Sequence, residues 1–311
     1  MIKIDLFHLS THAEEIFYRL RWGSQIACPE CGSIHIYNPE AGKQHICADC
    51  DHRFSDTSGT AFHATKIPIA KWLVSIYMFV TQSKGISSYN LARMISVSQP
   101  TAWRILTILR LNIHHDLSET SIAMIDEVYL GADWKRKPYK DKIKKIPPPN
   151  PVWNLKGDDL KKYYKSQMLK AASLDKLPIL GISAYNSRSL VLHPYMQTPT
   201  AEAVKSQIIE QYEEISHWIS DQSKLYWWMD DIDTIHHSVC DHSNHLYRSE
   251  DGYSSNRLEG VFAHLKRMWR GVYHWFTKKY SPAYLNEFGW RWSNFDRPIE
   301  DRFMDLVGFM I

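Results

Sequence analysis

Residues 28–50 open with Cys28-Pro-Glu-Cys31 and close with Cys47-Ala-Asp-Cys50. Residues 32–46 separate the two cysteine pairs, and this spacing is typical of zinc sites. Each pair places two thiolates on one tight turn, so two pairs can complete a closed tetrahedral shell. The pattern therefore predicts a structural zinc ion bound by Cys28, Cys31, Cys47 and Cys50. The alternative, a set of redox dithiols, is less favoured because no βαβ pattern surrounds the cysteines.

The flanks of these pairs predict a zinc ribbon. Residues 34–37 and 43–46 can form short strands beside the two turns. His45 and His52 lie close to the second pair, but four sulfurs already satisfy zinc, so we expect both histidines at the surface. With a short leader, in which residues 13–22 favour a helix, this module covers residues 1–58.

Composition limits the class of protein. The 311 residues are 44% hydrophobic and 23% charged, as in ordinary globular proteins. The longest largely apolar run, residues 72–80, is too short to cross a membrane, and the N-terminus has no signal-peptide pattern. We therefore expect a cytoplasmic protein without a membrane partner, in which thiols stay reduced and available to zinc.

The charge is unevenly distributed along the chain. The formal net charge is only +3, yet residues 133–173 contain twelve Lys or Arg and four Asp. Three prolines at 147–149 indicate that this basic insertion is looped or partly disordered. The concentration of positive charge favours a nucleic-acid partner, and the alternative is a solvated loop.

Residues 86–106 predict two short helices joined by a tight turn at residues 96–98. Ser98 suits the N-cap of the second helix and Pro100 its first turn. This layout is typical of a helix-turn-helix module, here within residues 59–118, whose second helix would present Thr101 and Arg104 to a DNA groove. An ordinary helical hairpin is the alternative.

From residue 119 to residue 311 the pattern alternates between strands and helices, which predicts an α/β catalytic domain. Asp126 lies in an otherwise apolar strand, where a carboxylate is costly unless it is paired or bound to a metal. Asp221 ends a second strand, and Glu259 lies one turn into a helix. Converging at one edge of a sheet, these acids would form a site for two Mg²⁺ or Mn²⁺ ions of the kind used in phosphoryl transfer.

Each acid has a competing interpretation. Because Glu127 follows Asp126, their strand could be emerging into solvent, and carboxylates within residues 230–233 compete with Asp221. Asn256 and Glu259 fit the N-cap and N3 positions of a capping box, in which Glu259 would only satisfy backbone donors. Asn256 is then the alternative ligand at that end of the helix.

Residues 236–245 are rich in histidine and could suggest a second zinc site. Successive strand residues point to opposite faces, so His236 and His237 cannot both reach one ion. We therefore expect a histidine directed at DNA phosphate rather than a structural metal.

The chain resembles the DDE transposases of bacterial insertion sequences, specifically the zinc-ribbon insertion-sequence 1595 family (ISXO type). The resemblance covers nearly the whole chain and rests on the order of cysteine pairs, paired helices and acidic segments. The matching stretches are residues 28–50, residues 85–110, Asp126-Glu127-Val128-Tyr129-Leu130-Gly131, residues 256–267, Gly271-Val272-Tyr273-His274 and residues 284–294.

The resemblance implies an RNase H-like domain that cuts and joins DNA at element ends, with Asp126, Asp221 and Glu259 as its acids. It implies double-stranded DNA partners, both terminal inverted repeats and target, bound by a homodimer or higher oligomer in the bacterial nucleoid. DNA contacts are expected from Arg104, Lys266, Arg267 and Arg270. Two alternatives stay open: a non-catalytic DNA-binding regulator derived from a transposase, and a zinc-ribbon nuclease without strand transfer.

Overall fold

The computed structural model describes residues 5–115, 117, 120–131, 148–150, 156–174, 176–241, 248–273 and 276–311, with the backbone only for 168–174. The chain divides into two compact units, one of residues 1–115, 267–276 and 286–311, the other of residues 116–266 and 277–285. In chain order the described helices and strands are α1 (Leu6–Thr11), α2 (Ala13–Trp22), β1 (Ile36–Tyr37), β2 (His45–Cys47), β3 (Arg53–Phe54), α3 (Ile69–Thr81), α4 (Ser88–Ile95), α5 (Gln99–Asn112), β4 (Ile122–Leu130), α6 (Gly157–Leu174), β5 (Leu177–Ala184), β6 (Leu190–Pro194), α7 (Ala201–Gln211), β7 (His217–Asp221), β8 (His236–Cys240), α8 (Asn256–Gly271), α9 (Ser281–Ser293) and α10 (Ile299–Gly308).

The first unit begins with the predicted ribbon. Strands β1, β2 and β3 form an antiparallel sheet in that order, and α2 occupies the residues predicted to be helical. A small core of Ile26, Cys28, Cys47 and Phe54 lies beneath the sheet. The ribbon is therefore held by a few apolar side chains and by its four cysteines.

The surface position predicted for His45 is wrong. Its side chain is fully buried, with ring nitrogens 2.7 Å from the Asn38 carbonyl oxygen and 2.8 Å from an Asp56 carboxylate oxygen. The reason is strand alternation: His45 lies two residues before Cys47 on β2, and both side chains face the buried side. His45 is thus part of the ribbon core.

The helical part of the first unit carries the predicted pair of helices. Ser98 caps α5, its Oγ accepting a hydrogen bond from the Thr101 amide, and Pro100 lies in the first turn. Ser96 ends α4 in the left-handed conformation, with φ of 52°. The apolar faces of α3, α4, α5 and α10 enclose one core.

A buried ion network lies in this unit. Glu287 on α9 is fully buried and accepts from Arg110 Nε at 2.7 Å and Arg291 Nε at 2.8 Å. Burial would raise the pKa of the Glu287 carboxyl, but the two guanidinium groups outweigh it and lower that pKa. Two positive charges thus compensate one negative charge inside the protein.

The second unit is built on a five-stranded mixed sheet in the order β6-β5-β4-β7-β8. Strand β4 pairs antiparallel with β5 and parallel with β7, β5 pairs antiparallel with β6, and β7 pairs parallel with β8. Helix α7 packs on one face through Val204 and Ile208, in a core with Ile125, Leu180 and Trp218. The mixed α/β class predicted for this region is confirmed.

About half of the basic insertion, residues 133–147 and 151–155, lies outside the described residues. The described part, α6, is helical, so the prediction of a loop is wrong there. Asp158 and Asp159 favour the helix N-terminus, and Lys161 and Lys162 pair with them at a spacing of three residues. Among all the helices described, none combines the length and the apolar character that a bilayer crossing requires.

Candidate active site

The four cysteines form one cluster in the ribbon. The Sγ atoms of Cys28 and Cys50 are 3.7 Å apart, and those of Cys31 and Cys47 are 3.6 Å apart. Tetrahedral zinc with Zn–S bonds of about 2.3 Å places its sulfurs about 3.8 Å apart. The donor set and its spacing therefore fit a structural zinc ion.

The two turns that carry the cysteines are equivalent. In each, the residue four positions after the first cysteine donates its amide to that cysteine's carbonyl, Gly32 to Cys28 and Asp51 to Cys47. Both donors have left-handed backbone, with φ of 74° and 55°. Two matching turns thus aim two thiolates each at a common point.

Asp126 and Asp221 meet through the parallel pairing of β4 and β7. The pairing aligns Ile122 with His217 and Met124 with Ile219, and its continuation brings Asp126 beside Asp221 at the end of β7. Oxygen atoms of Asp126, Asp221 and Glu127 lie within 4.8 Å of one another. Two of the three predicted acids are therefore brought together, along with one that was not predicted.

Glu127 can reach the cluster because β7 ends at Asp221. Alternation places Asp126 and Glu127 on opposite faces of β4, but no β7 residue lies opposite Glu127, since the strand stops at Asp221. The Tyr226 hydroxyl donates to Glu127 Oε2 at 2.6 Å, and the Ser223 hydroxyl donates to Oε1 at 3.4 Å. The loop after β7 therefore turns Glu127 towards the end of the strand.

Burial and neighbouring carboxylates raise the pKa values of Asp126 and Glu127 in this cluster. Burial raises the pKa of the Asp126 carboxyl to about 8, with further contributions from Asp221, Glu127 and Glu259. Burial likewise raises the pKa of Glu127, against the hydrogen bond from Tyr226. A divalent cation would stabilise the ionised form of these carboxylates. Because carboxylate oxygens are the ligands that Mg²⁺ and Mn²⁺ prefer, these side chains fit such an ion.

Glu259 lies near this cluster but outside the 4.8 Å group. Helix α8 covers the Asp126 face of the sheet, because Phe262 packs on Gly181, the pairing partner of Asp126. A Cβ at Gly181 would lie 2.7 Å from the Phe262 ring, so glycine is needed for this approach. Helix α8 includes Asn256, one residue earlier than the capping-box alternative requires.

Asp230, which competed with Asp221 in the sequence, has another partner. Its Oδ1 lies 2.7 Å from His237 Nδ1, and His237 Nε2 lies 2.7 Å from the Ser220 hydroxyl. The His237 side chain is only 2% exposed, so it does not project outward as a phosphate contact would. Among the described residues, the acidic group at the end of β7 does not include Asp230.

The predicted DNA-contacting side chains lie on two helices. Arg104 is exposed on α5, beside a surface cavity lined by His63, Lys66 and Thr101. Three exposed cations lie on α8 two to three turns after Glu259: Lys266, Arg267 and Arg270.

Comparison with known families places the chain. The family profile described as "Transposase zinc-ribbon domain" matches residues 10–53, and the "ISXO2-like transposase domain" matches residues 155–293. This chain belongs to the zinc-ribbon transposases of the insertion-sequence 1595 family. The ribbon match of this transposase contains all four cysteines, and the domain match contains Asp221 and Glu259 but begins after Asp126.

A relative of this transposase is similar along its whole length. It is the "Uncharacterized protein in transposable element ISH50" of Halobacterium salinarum, 23% identical over 313 residues and matched over 96% of each chain. The similarity to a protein of a transposable element agrees with the family assignment.

Proposed function

We propose that this transposase cuts DNA at the ends of an insertion sequence and joins the freed ends to target DNA by two-metal phosphoryl transfer. The observation that carries the proposal is the convergence of Asp126, Asp221 and Glu127 at the end of β7. The pKa of Asp126, raised to about 8, marks a site that a divalent cation would stabilise. The acids lie at a strand end beside a helix, where a phosphodiester can approach.

The sheet supports an RNase H-like assignment. Counted from β4, its strands lie in the order 3-2-1-4-5, with the first three antiparallel and the last two parallel to the first. Asp126 lies on the central first strand and Asp221 ends the fourth. The two acids thus come from adjacent parallel strands.

The acids have distinct roles in this proposal. Asp126 and Asp221 bind the divalent ions, and Glu259 or Asn256 adds a further ligand from α8. The hydrogen bond from Tyr226 orients Glu127 towards the same ions. Bound Mg²⁺ ions would neutralise charge on the scissile phosphate and favour ionisation of the attacking hydroxyl group. Lys266, Arg267 and Arg270 bind backbone phosphates near the cut.

Recognition of the element ends is assigned to the first unit. Helices α4 and α5 form a helix-turn-helix module, and Arg104 on α5 reads the major groove. The zinc ribbon and the basic insertion add contacts to terminal repeats and target DNA, and the protein acts as a homodimer or higher oligomer on DNA in the nucleoid.

Cleavage of duplex DNA carrying the element ends tests this proposal. With Mg²⁺ present, the wild-type chain is expected to nick at the ends, and Asp126→Asn is expected to lower the rate by at least about 1,000-fold while binding the same DNA. Asp158→Asn is the matched control, because that carboxylate is 84% exposed on α6. Normal cleavage by Asp126→Asn would reject the active-site assignment.

The same experiment separates the alternatives. Binding without cleavage by the wild-type chain would identify a DNA-binding regulator. Cleavage that releases ends without joining them to target DNA would identify a nuclease. Joined products that require Asp126 and Asp221 together would support the transposase.

A further inference from the structure

A second group of ligand-type side chains lies at the opposite end of β7 from Asp221. His217 and His236 are paired on the parallel strands β7 and β8, and their ring centroids are 4.3 Å apart. His236 Nε2 lies 2.9 Å from Asp251 Oδ2, and ligand atoms of all three residues lie within 4.8 Å of one another. Two imidazoles and a carboxylate therefore converge on one small volume.

The carboxylate of this group is held in place. Ser249 Oγ donates to Asp251 Oδ1 at 2.5 Å, within a turn closed by the Gly252 amide on the Ser249 carbonyl. Ser238 Oγ donates to Asp251 Oδ2 at 2.6 Å and lies 2.7 Å from His217 Nε2. Hydroxyl groups that orient a carboxylate in this way are typical of the surroundings of metal ligands.

The sequence prediction for this region was half right. His236 and His237 do point to different partners, as alternation requires, since His237 contacts Asp230 and Ser220. The predicted ligands, however, were all within residues 236–245. His217 and Asp251 come from other segments, and only the sheet register and the turn at 249–253 bring them to His236.

We propose that His217, His236 and Asp251 bind a divalent transition-metal ion, for which zinc is the best fit. Imidazole nitrogens and a single carboxylate suit zinc, whereas Mg²⁺ prefers an all-oxygen set. The side chain of His236 is 64% exposed, so an ion can reach the site from solvent and keep water as its remaining ligand. The site differs from the ribbon in ligand chemistry and from the acidic cluster in position.

The ion would have a structural role. Asp251 lies in the segment between β8 and α8, five positions before α8 begins at Asn256. Binding would tie the starts of β7 and β8 to that segment and so fix the entry into the helix that carries Glu259. Metal bound only by the folded chain stabilises it by mass action.

The metal content of the full-length chain tests this site. Protein is dialysed against zinc buffered at micromolar free concentration with excess Mg²⁺ present, so that the carboxylate cluster is occupied by Mg²⁺, and bound zinc is then measured by mass spectrometry. We expect the wild-type chain to bind one zinc ion beyond that of the four cysteines. His236→Gln is expected to lose that ion and keep the ribbon zinc, and His63→Gln, an exposed histidine outside the group, is the matched control.

Cobalt substitution of the wild-type chain gives an answer that needs no variant. Thiolate ligands give intense charge-transfer bands with Co²⁺, and a site of nitrogen and oxygen ligands gives only weaker visible bands. A second phase of Co²⁺ binding without added charge-transfer absorption supports the proposal. A single phase in the wild-type chain, or equal zinc content in wild type and His236→Gln, would overturn it and leave a hydrogen-bonded network of His217, Ser238, His236 and Asp251.

Discussion

Each unit contains a carboxylate shielded from solvent, fully buried at Glu287 and half-buried at Asp126, and the two have opposite surroundings. In the first unit Glu287 contacts Arg110 and Arg291, which lower the pKa of Glu287 despite its burial. In the second unit Asp126 is surrounded by other carboxylates, and burial together with Asp221 raises its pKa to about 8. The first carboxylate is compensated by two guanidinium groups, whereas the described charged neighbours that act on the pKa of the second are carboxylates.

This difference agrees with a structural role for Glu287 and with the functional role proposed for Asp126. A buried ion pair can hold elements together, here α5 and α9 through the hydrogen bond from Arg110 to Glu287. A group of acids without a positive partner costs stability, and a fold retains such a group where a ligand repays that cost. We therefore expect neutralisation of Glu287 to lower the stability of its unit and neutralisation of Asp126 to raise the stability of the other.

The largest expected effect is at Glu287. Glu287→Gln leaves two buried guanidinium groups without their counter-charge, and we expect the first unit to lose about 3–5 kcal/mol of stability. Hydrogen exchange measured by mass spectrometry resolves the two units, so faster exchange should appear in α5 and α9. Glu300→Gln, at an exposed position on α10, is the control and should change stability by less than about 1 kcal/mol. Unchanged exchange in Glu287→Gln would contradict the compensation.

Neutralising Asp126 is expected to raise stability instead of lowering it. Its folded-state pKa lies above its ordinary value of about 3.9, so the stability that it contributes is present below that value and is lost as pH rises towards about 8. Without divalent ions, protection of β4 and β7 should fall across this range. Asp126→Asn should flatten the dependence and raise stability at pH 8.

Added Mg²⁺ is expected to offset the loss of stability caused by ionisation of Asp126. Added Mg²⁺ should restore protection of β4 and β7 at pH 8 in the wild-type chain and do little in Asp126→Asn. The pH dependence of stability due to Glu287 has the opposite direction. Because the folded-state pKa of Glu287 is lowered, the stability that it contributes is lost as the pH falls below about 4. Equal pH profiles for wild type and Asp126→Asn would remove the electrostatic basis of the site.

Local patterns predicted most of the fold. The cysteine spacing, the Ser98 cap and the strand ending at Asp221 are each set by a few neighbouring residues, and the structure has them as predicted. Asp126 could be chosen because a lone acid in an apolar strand is costly wherever that strand lies. These inferences need no knowledge of what packs against what.

Features that depend on distant pairing were missed. Arg110 and Glu287 are 177 positions apart, and no spacing rule connects them. Glu127 entered the sequence analysis only in the alternative that its strand emerges into solvent, because the sequence does not show that β7 ends beside it. His45 was misplaced because its metal-binding capacity was weighed and its position on the buried face of β2 was not. In each case the deciding fact was which part of the folded chain lies beside the residue.

The smallest predicted effect concerns Tyr226, whose hydroxyl group orients the Glu127 carboxylate. Tyr226→Phe removes the hydroxyl that donates to Glu127 but keeps the buried ring. A hydrogen bond to a charged group contributes about 1.5–3 kcal/mol, so we expect Glu127 to lose its fixed orientation without loss of the fold. The Mg²⁺ concentration for half-maximal cleavage should rise about 10-fold, with Tyr37→Phe on the exposed ribbon strand as the control. If the Mg²⁺ requirement is unchanged, Glu127 serves only to fix the loop after β7, and the cation is bound by Asp126 and Asp221 with a partner from α8.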